Sequence, residues 1–501
     1  MSRRRHRLQA NDPSRRDFLF KGACAALTAA GISGTISDLR LINAAAAATP
    51  ALGTDYKALV CIFLFGGNDG NNLLLQTDAA TYSNYTTTRG AIALPLPGAT
   101  GGPINLTPLS NDGHSYGIHP SCPDLATLFN GGQMAFLCNV GTLLAPITLA
   151  QYKAKAPGIP PQLFSHNDQQ VEWQTSIEDQ PAKTGWGGRS ADLLYSLNGN
   201  NQVSMNISVA GSNTFETGNT INQYNVSANS GAISLNVSQG AQLQALKDLV
   251  NLNHTNLYES AFSSEMNTAI TDATLLNNAI APSSSSTYWT TPFSSTSLGK
   301  QMKMIARLIQ AAPTLGHNRQ IFFASIGGFD LHGTEGAQTG AHANLLADLN
   351  ASMNAFYKAT VQLGLAPNVT TFTASDFSRT YPVNPTAGTD HAWGNHHMIM
   401  GGSVIGQRLY GTYPTLTVNG PDDTGTGRWL PTTSVDQYSG TLAKWFGVSS
   451  SNMASVFPYL GRFATPDLGF MNNAAGGGNS PSIVTSGSRS KPKARTATIR
   501  K

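Results

Sequence analysis

The chain is poor in charge. Lys, Arg, Asp and Glu together make up 12% of its 501 residues, about half the usual share. This excludes a charge-driven disordered protein and a coiled coil with charged flanks. It fits a neutral polar surface of Asn, Ser, Thr and Gln. Cysteine is scarce: Cys24, Cys61, Cys122 and Cys138, with no C-x-x-C pair. A thiolate metal site is therefore disfavoured. Cys61 and Cys138 lie in apolar runs and read as buried free thiols, with one disulfide left open to an oxidising compartment. Long apolar runs are missing as well. No segment reaches the ~20 residues a bilayer span needs, so the mature form is expected not to span a membrane. The formal net charge of +4 comes from Arg and Lys crowded at the two ends. The body is near neutral and carries no basic stripe, which excludes nucleic acid as a partner.

What is present begins with an export signal. Ser14-Arg15-Arg16-Asp17-Phe18-Leu19 resembles the twin-arginine motif, followed by a mildly apolar Gly/Ala-rich stretch and by small residues at Ala44 to Ala48 that offer a cleavage site. The resemblance implies the twin-arginine translocase as a partner during export, a periplasmic or secreted location, and cargo that folds before export, often around a cofactor. Residues 1–48 are read as this signal, 49–471 as one domain, and 472–501, rich in Gly, Ser and basic residues, as a disordered basic tail.

Within the domain, apolar runs alternate with helical patterns. The run from Ala58 to Phe65 reads as a buried parallel strand ending in Gly66-Gly67-Asn68-Asp69. Helices are expected at Pro123 to Asn130, from Ser165 to Thr175, and at Leu298 to Ala311, Ala341 to Leu363 and Ser434 to Phe446. Strands are expected at Met134 to Val140, Gln320 to Ile326, Val369 to Ala374 and His397 to Gly401. Residues 198–296 read as a polar insertion, partly helical at Ala241 to Leu257 and Ser263 to Ile280. The alternation implies an α/β fold with a mostly parallel, doubly wound sheet. In such sheets ligands sit at the carboxyl ends of the strands.

Three expected strand ends carry an acid: Asp69, Asp330 and Asp376. His332 and His391 lie close to these ends in sequence, and carboxylate with imidazole suits a divalent metal, with zinc foremost and Mn, Fe, Mg or Ca as alternatives. Asp390 to His397 packs several further metal-ligating groups into one short segment, with His397 opening an apolar strand. Ser165 and His166 stand at an expected helix start, where free N–H groups favour an anion. Ser165 reads either as a metal-activated nucleophile or as a helix cap. Arg379 reads either as a clamp for an anionic substrate or as a structural ion-pair residue.

The segments LFGGNDGNN, SHNDQQVEWQ, GGFDLHG, SDFSRT, DHAWGNHHMIMGG and PTTSVDQYSGTLAKWFGV resemble the exported bacterial family termed domain of unknown function 1501, from Lys57 to Pro466. That family is placed in the alkaline phosphatase and sulfatase superfamily. The resemblance implies an alkaline phosphatase-like α/β/α sandwich, metal ligands at Asp69, Asp330, His332, Asp376 and His391, a nucleophile at Ser165, and His166 or Arg379 stabilising the transferred group. Three departures stand out. His332 lies two residues after Asp330, where phosphatases place that His four later. Phe377 follows Asp376 where the superfamily usually has an imidazole, and Ser165 lacks the cysteine-rich motif of sulfatases. Three functions follow: a metal-dependent hydrolase acting on a small anionic ester or a polymer, a non-enzymatic binding or assembly protein working through its insertion, and a serine esterase with a GxND loop, which would need its Ser upstream of that loop, where the signal lies.

Overall fold

The computed structural model describes residues 55–472 apart from 110–111, 199–201, 233–239, 253 and 286. The expected export signal and nearly all of the basic tail lie outside the described residues. The main sheet is built from ten strands: β1 (Lys57–Leu64), β2 (Met134–Gly141), β3 (Asn206–Ser208), β4 (Tyr224–Ser227), β5 (Gly231–Ala232), β6 (Arg319–Ile326), β7 (Val369–Ser375), β8 (Asn395–Gly401), β9 (Leu409–Gly411) and β10 (Thr433–Ser434). Their order is β9-β2-β8-β7-β1-β6-β3-β4-β5, with β10 pairing β2 off this path. β1 lies centrally, parallel to both β7 and β6. β8 runs antiparallel to its two neighbours.

β1 shows why the sheet needs two covers. All but its first residue are buried. Alternate side chains enter opposite cores, as strand periodicity requires. Val60, Ile62 and Leu64 pack with the helices α2 (Pro123–Asn130), α6 (Ser297–Gln310) and α7 (Ala341–Gln362). Leu59, Cys61 and Phe63 pack with α4 (Trp186–Leu194) and α8 (Val435–Phe446). The result is the expected α/β/α sandwich with a mostly parallel sheet. α8 begins as its sequence suggests: Ser434 and Gln437 form a reciprocal capping box. Cys61, Cys122 and Cys138 are buried free thiols.

The polar insertion departs from expectation in two ways. It contributes β3, β4 and β5 to the sheet, β3 being parallel to β6, a pairing too short to leave a periodic signal. Its helices run Ala241–Val250 and Leu257–Ile280. The first therefore stops earlier than expected, and the second, α5, starts earlier, capped by Asn256. No helix among the described residues is long and apolar enough to cross a membrane.

Two buried acids tie stability to pH. Burial pushes the carboxyl of Glu172, on α3 (His166–Thr175), from its ordinary 4.5 up to about 8, and does the same to Glu216. Each stays protonated in the folded chain at a pH where the unfolded chain has ionised. The folded state then binds more protons at these two groups, so their contribution to stability falls as pH rises from about 4.5 to about 8 and levels off above, opposite in sign to that of the buried histidines, whose lowered pKa values favour folding as pH rises toward 6.5. The slope contributed by each group reaches about 1.4 kcal/mol per pH unit. Glu216→Gln is expected to flatten this fall, read from urea midpoints across that window. A difference between wild type and Glu216→Gln that stays constant across that window would contradict it.

Candidate metal centre

The carboxyl edge of the central strands is shaped by backbone before side chains. β1 ends in a turn where Gly66 adopts φ +111°, and a Cβ there would lie 2.4 Å from the Asp330 amide nitrogen. Only glycine lets the two loops approach this closely. The Gly66 N–H donates to Asp376 Oδ1 at 3.2 Å, and its carbonyl accepts from Arg379 Nη1 at 3.3 Å. One loop thus positions groups from β6 and β7 together.

Three imidazoles converge on Asp330, and each is tied from behind. His166 Nδ1 donates to Asp376 Oδ2 at 2.6 Å, His391 Nδ1 to the Phe164 carbonyl at 2.8 Å, and His332 Nδ1 to Asp390 Oδ1 at 3.0 Å. Each Nε2 is then turned toward the Asp330 carboxylate, at 3.4 Å for His166, 3.2 Å for His391 and 3.0 Å for His332. His332 and His391 also bring their Nε2 atoms within 3.0 Å of each other. With Nδ1 carrying the proton, each neutral ring offers a lone pair at Nε2. Lone pairs and a carboxylate that face one another repel unless a proton or a cation lies among them.

This donor set fits a divalent metal. One ligand atom from each of His166, Asp330 and His391 lies within 4.8 Å of the other two. Two nitrogen or oxygen ligands on a tetrahedral zinc stand about 3.3 Å apart, close to the 3.4 and 3.2 Å separating Asp330 from the two imidazoles. His166 Nε2 is buried and takes no hydrogen bond, as expected of an atom reserved for a ligand. A carboxylate or carbonyl behind each imidazole is the usual support of a metal-binding histidine. Asp330 is 43% exposed, so the site opens to solvent.

The charges follow from these contacts. The hydrogen bond to Asp376 raises the pKa of His166, against burial. Burial lowers that of His391. Burial pushes the Asp330 carboxyl up, but the Arg379 hydrogen bond and charge outweigh it and hold the group below its ordinary value.

The other expected site residues fall around this centre. Asp376 is fully buried and serves His166, with Gln170 Nε2 donating to the same oxygen at 2.8 Å. Its geometry is that of an orienting carboxylate rather than an open ligand. Arg379 is also fully buried. It donates to Asp330 Oδ1 at 2.8 Å, to Gly66 O, to Thr389 O and to Thr389 Oγ1 at 3.2 Å. Its donors are engaged within the protein, so the clamp reading gives way to the structural ion pair: Arg379 holds Asp330. Ser165 caps α3 without bonding its backbone. Its hydroxyl donates to Asp168 Oδ2 at 2.5 Å.

Asp69 is the residue the structure keeps apart. It caps the short helix Gly70–Leu73, accepting from Asn71 N at 3.0 Å, and its other oxygen pairs with buried Arg89. Burial and the charge of Asp69 push the neighbouring Glu335 carboxyl well up. The pair is thus internally neutralised, and no lone pair of Asp69 is directed at the three imidazoles. Of the five expected ligands, the structure brings together Asp330, His391 and His332, joined by His166. In the dense segment that ends at His397, His391 faces Asp330 and Asp390 supports His332. His396 stacks on Tyr413 and His397 packs against Trp173, both buried.

The family model described as "Protein of unknown function (DUF1501)" matches residues 56–426. The chain belongs to that family. No curated protein matches it. Among solved structures, a sulfatase from Pseudoalteromonas sp. is 9% identical with a TM-score of 0.32, covering 84% of this chain and 72% of that one. The phosphonate monoester hydrolase of Agrobacterium radiobacter is 8% identical with a TM-score of 0.28, over 79% and 74%. The C-terminal periplasmic domain of EcEptC from Escherichia coli, in complex with Zn, is 7% identical with a TM-score of 0.28, over 70% and 74%. At such scores the fold of this DUF1501 chain rests on its own topology.

Supporting groups give the centre a graded test. Asp376→Asn keeps the shape but weakens the hold on His166. It is expected to lower metal affinity by about 10–100-fold, measured by competition with a fluorescent chelator. Unchanged affinity would remove Asp376 from the site.

Proposed function

We propose that this DUF1501 protein is an exported, metal-dependent hydrolase of phosphate or sulfate esters. The observation that carries the reading is the convergence of three back-tied imidazoles on one partly exposed carboxylate at the carboxyl edge of the sheet. His166, Asp330 and His391 would hold the metal, with His332 beside them. A divalent metal, zinc foremost with Mn, Fe, Mg or Ca as alternatives, would neutralise charge on the ester oxygens.

The chain's own residues supply the rest. Ser165 is the nucleophile, adjoining both His166 and Phe164, whose carbonyl orients His391. Asp168 accepts the hydroxyl hydrogen bond at 2.5 Å, which is the geometry of a nucleophile with its base. Ser165 Oγ forms a bond to phosphorus or sulfur as the bond to the leaving oxygen breaks. The Ser165 proton passes to Asp168 and on to the leaving oxygen. Water then gives a proton to Asp168 and attacks the phosphorus or sulfur, the bond to Ser165 Oγ breaks, that oxygen takes the proton back and free phosphate or sulfate departs. Asp376 and Arg379 orient His166 and Asp330 throughout. A screen of aryl phosphates, phosphonates and sulfates tests this. Turnover that stops with a chelator, returns with added metal and falls at least about a hundredfold in Ser165→Ala supports it. Turnover undiminished in Ser165→Ala would sink the nucleophile assignment.

One observation favours a second reading, a non-enzymatic binding or assembly protein. Leu249, Leu252, Leu257, Tyr258 and Phe262 are all at least 58% exposed where the two insertion helices meet. If that reading holds, the purified protein carries no stoichiometric metal even after reconstitution, and replacing these side chains by Ser abolishes its association.

A further inference from the structure

Beside the metal centre lies an open groove of about 410 Å³ that the chemistry above leaves unused. It is lined by Phe65, Asn167, Gln170, Ser212, Asn213 and Thr214, among others, and none of its lining residues carries a charge. Its link to the centre is covalent and short. Phe65 precedes Gly66, whose amide holds Asp376. Asn167 follows His166 on α3, and Gln170 donates to Asp376. Ala210 lines this groove and also a second one of about 450 Å³, bordered by Ser297, Gln301 and Ser325. The two grooves thus share a wall at Ala210, and the second, unlike the first, also carries an acid, Asp348.

We propose that this groove binds the neutral, hydroxyl-rich part of the substrate, a carbohydrate. This rests on the hydrolase reading only in making that carbohydrate the leaving group of the ester. Three features support it. A charged ligand such as a nucleoside diphosphate would lose solvation here without gaining a partner of opposite sign, because the first groove has none. The Asn213 amide is engaged with Glu216 and Gln170 Nε2 with Asp376, so the groove offers the Asn167 amide, Gln170 Oε1 and the Ser212 and Thr214 hydroxyls, a mixture of donors and acceptors. Sugar hydroxyls likewise donate and accept together, so the pairing is mutual. The half-buried ring of Phe65 gives the C–H face of a pyranose an apolar surface to lie on, beside polar groups that fix its orientation. The volume is within the range of small-ligand sites.

The test uses the full chain and a panel of neutral, unesterified oligosaccharides of gluco, galacto, manno and chito configuration. Binding is read by saturation-transfer NMR and titration calorimetry. At least one member is expected to bind saturably, and to do so equally in chelator-treated protein. Ser212→Trp, on an exposed turn, fills the groove and is expected to weaken that binding at least about tenfold with the unfolding temperature unchanged. If Ser212→Trp lowers the unfolding temperature, Asn167→Ala on the exposed first turn of α3 takes its place, with a smaller loss expected. Absence of binding by every member, or equal binding in both variants, overturns the proposal. Sugar binding by a protein that holds no metal would keep the groove assignment and refute the hydrolase reading. Metal-dependent turnover with no sugar bound would do the reverse.

Discussion

Asp330→Asn is expected to cost the protein at least about a hundredfold in metal affinity. The carboxylate is the one negative group on which His166, His332 and His391 all converge. Asparagine keeps its size and removes its charge, and the amide presents two donors where acceptors were. The imidazoles stay tied by Asp376, Asp390 and the Phe164 carbonyl, so they remain placed but hold a cation far less well. Arg379 loses a charged partner but keeps Gly66 and Thr389. Arg379 is fully buried and Asp330 is its ion-pair partner, so a loss of stability is expected as well, smaller than for alanine because the amide oxygen can still accept from Arg379. Chelator competition on wild type and variant reads the ratio directly. Equal affinities would show that the cation, if any, is held elsewhere.

Asp69→Ala is expected to strike the fold instead. It removes the carboxylate paired with Arg89, and Arg89 is fully buried. Breaking one partner of a buried ion pair costs about 3–5 kcal/mol, because the remaining charge is stranded. Glu335 lies 3.7 Å from the same guanidinium. Freed from the like charge of Asp69, Glu335 can ionise and take over part of the pairing, so the loss should fall at the lower end, about 3 kcal/mol. The damage reaches the metal centre only indirectly, since Glu335 bonds Thr389 and Thr389 bonds Arg379. Folded Asp69→Ala is accordingly expected to keep its metal. A stably folded variant that has lost its metal would return Asp69 to the ligand set.

Much of this architecture was legible in the residues because it obeys simple periods. The buried apolar run of β1, the Pro-led helix Pro123–Asn130 and the Ser-capped start of α8 follow from local rules. The acids at the ends of β6 and β7 were also readable, because polar groups after buried strands mark the ligand edge of such sheets. Asp69 follows the same rule and still lies outside the centre. No local pattern revealed that Arg89, twenty residues away, would fill the space beside it. His166 was read as a catalytic group rather than a ligand, since its support comes from Asp376, 210 residues on. The pairing of β3 with β6 stayed hidden because three residues are too few to show a period.

The account's central claim is that a metal sits among His166, Asp330 and His391. The most direct measurement is elemental mass spectrometry of the purified protein, in parallel with a His166→Ala, His391→Ala double variant. About one equivalent of a single divalent metal is expected in the wild type and almost none in a folded double variant. Metal-free wild-type protein that takes up none on reconstitution, or equal metal in both, would contradict it.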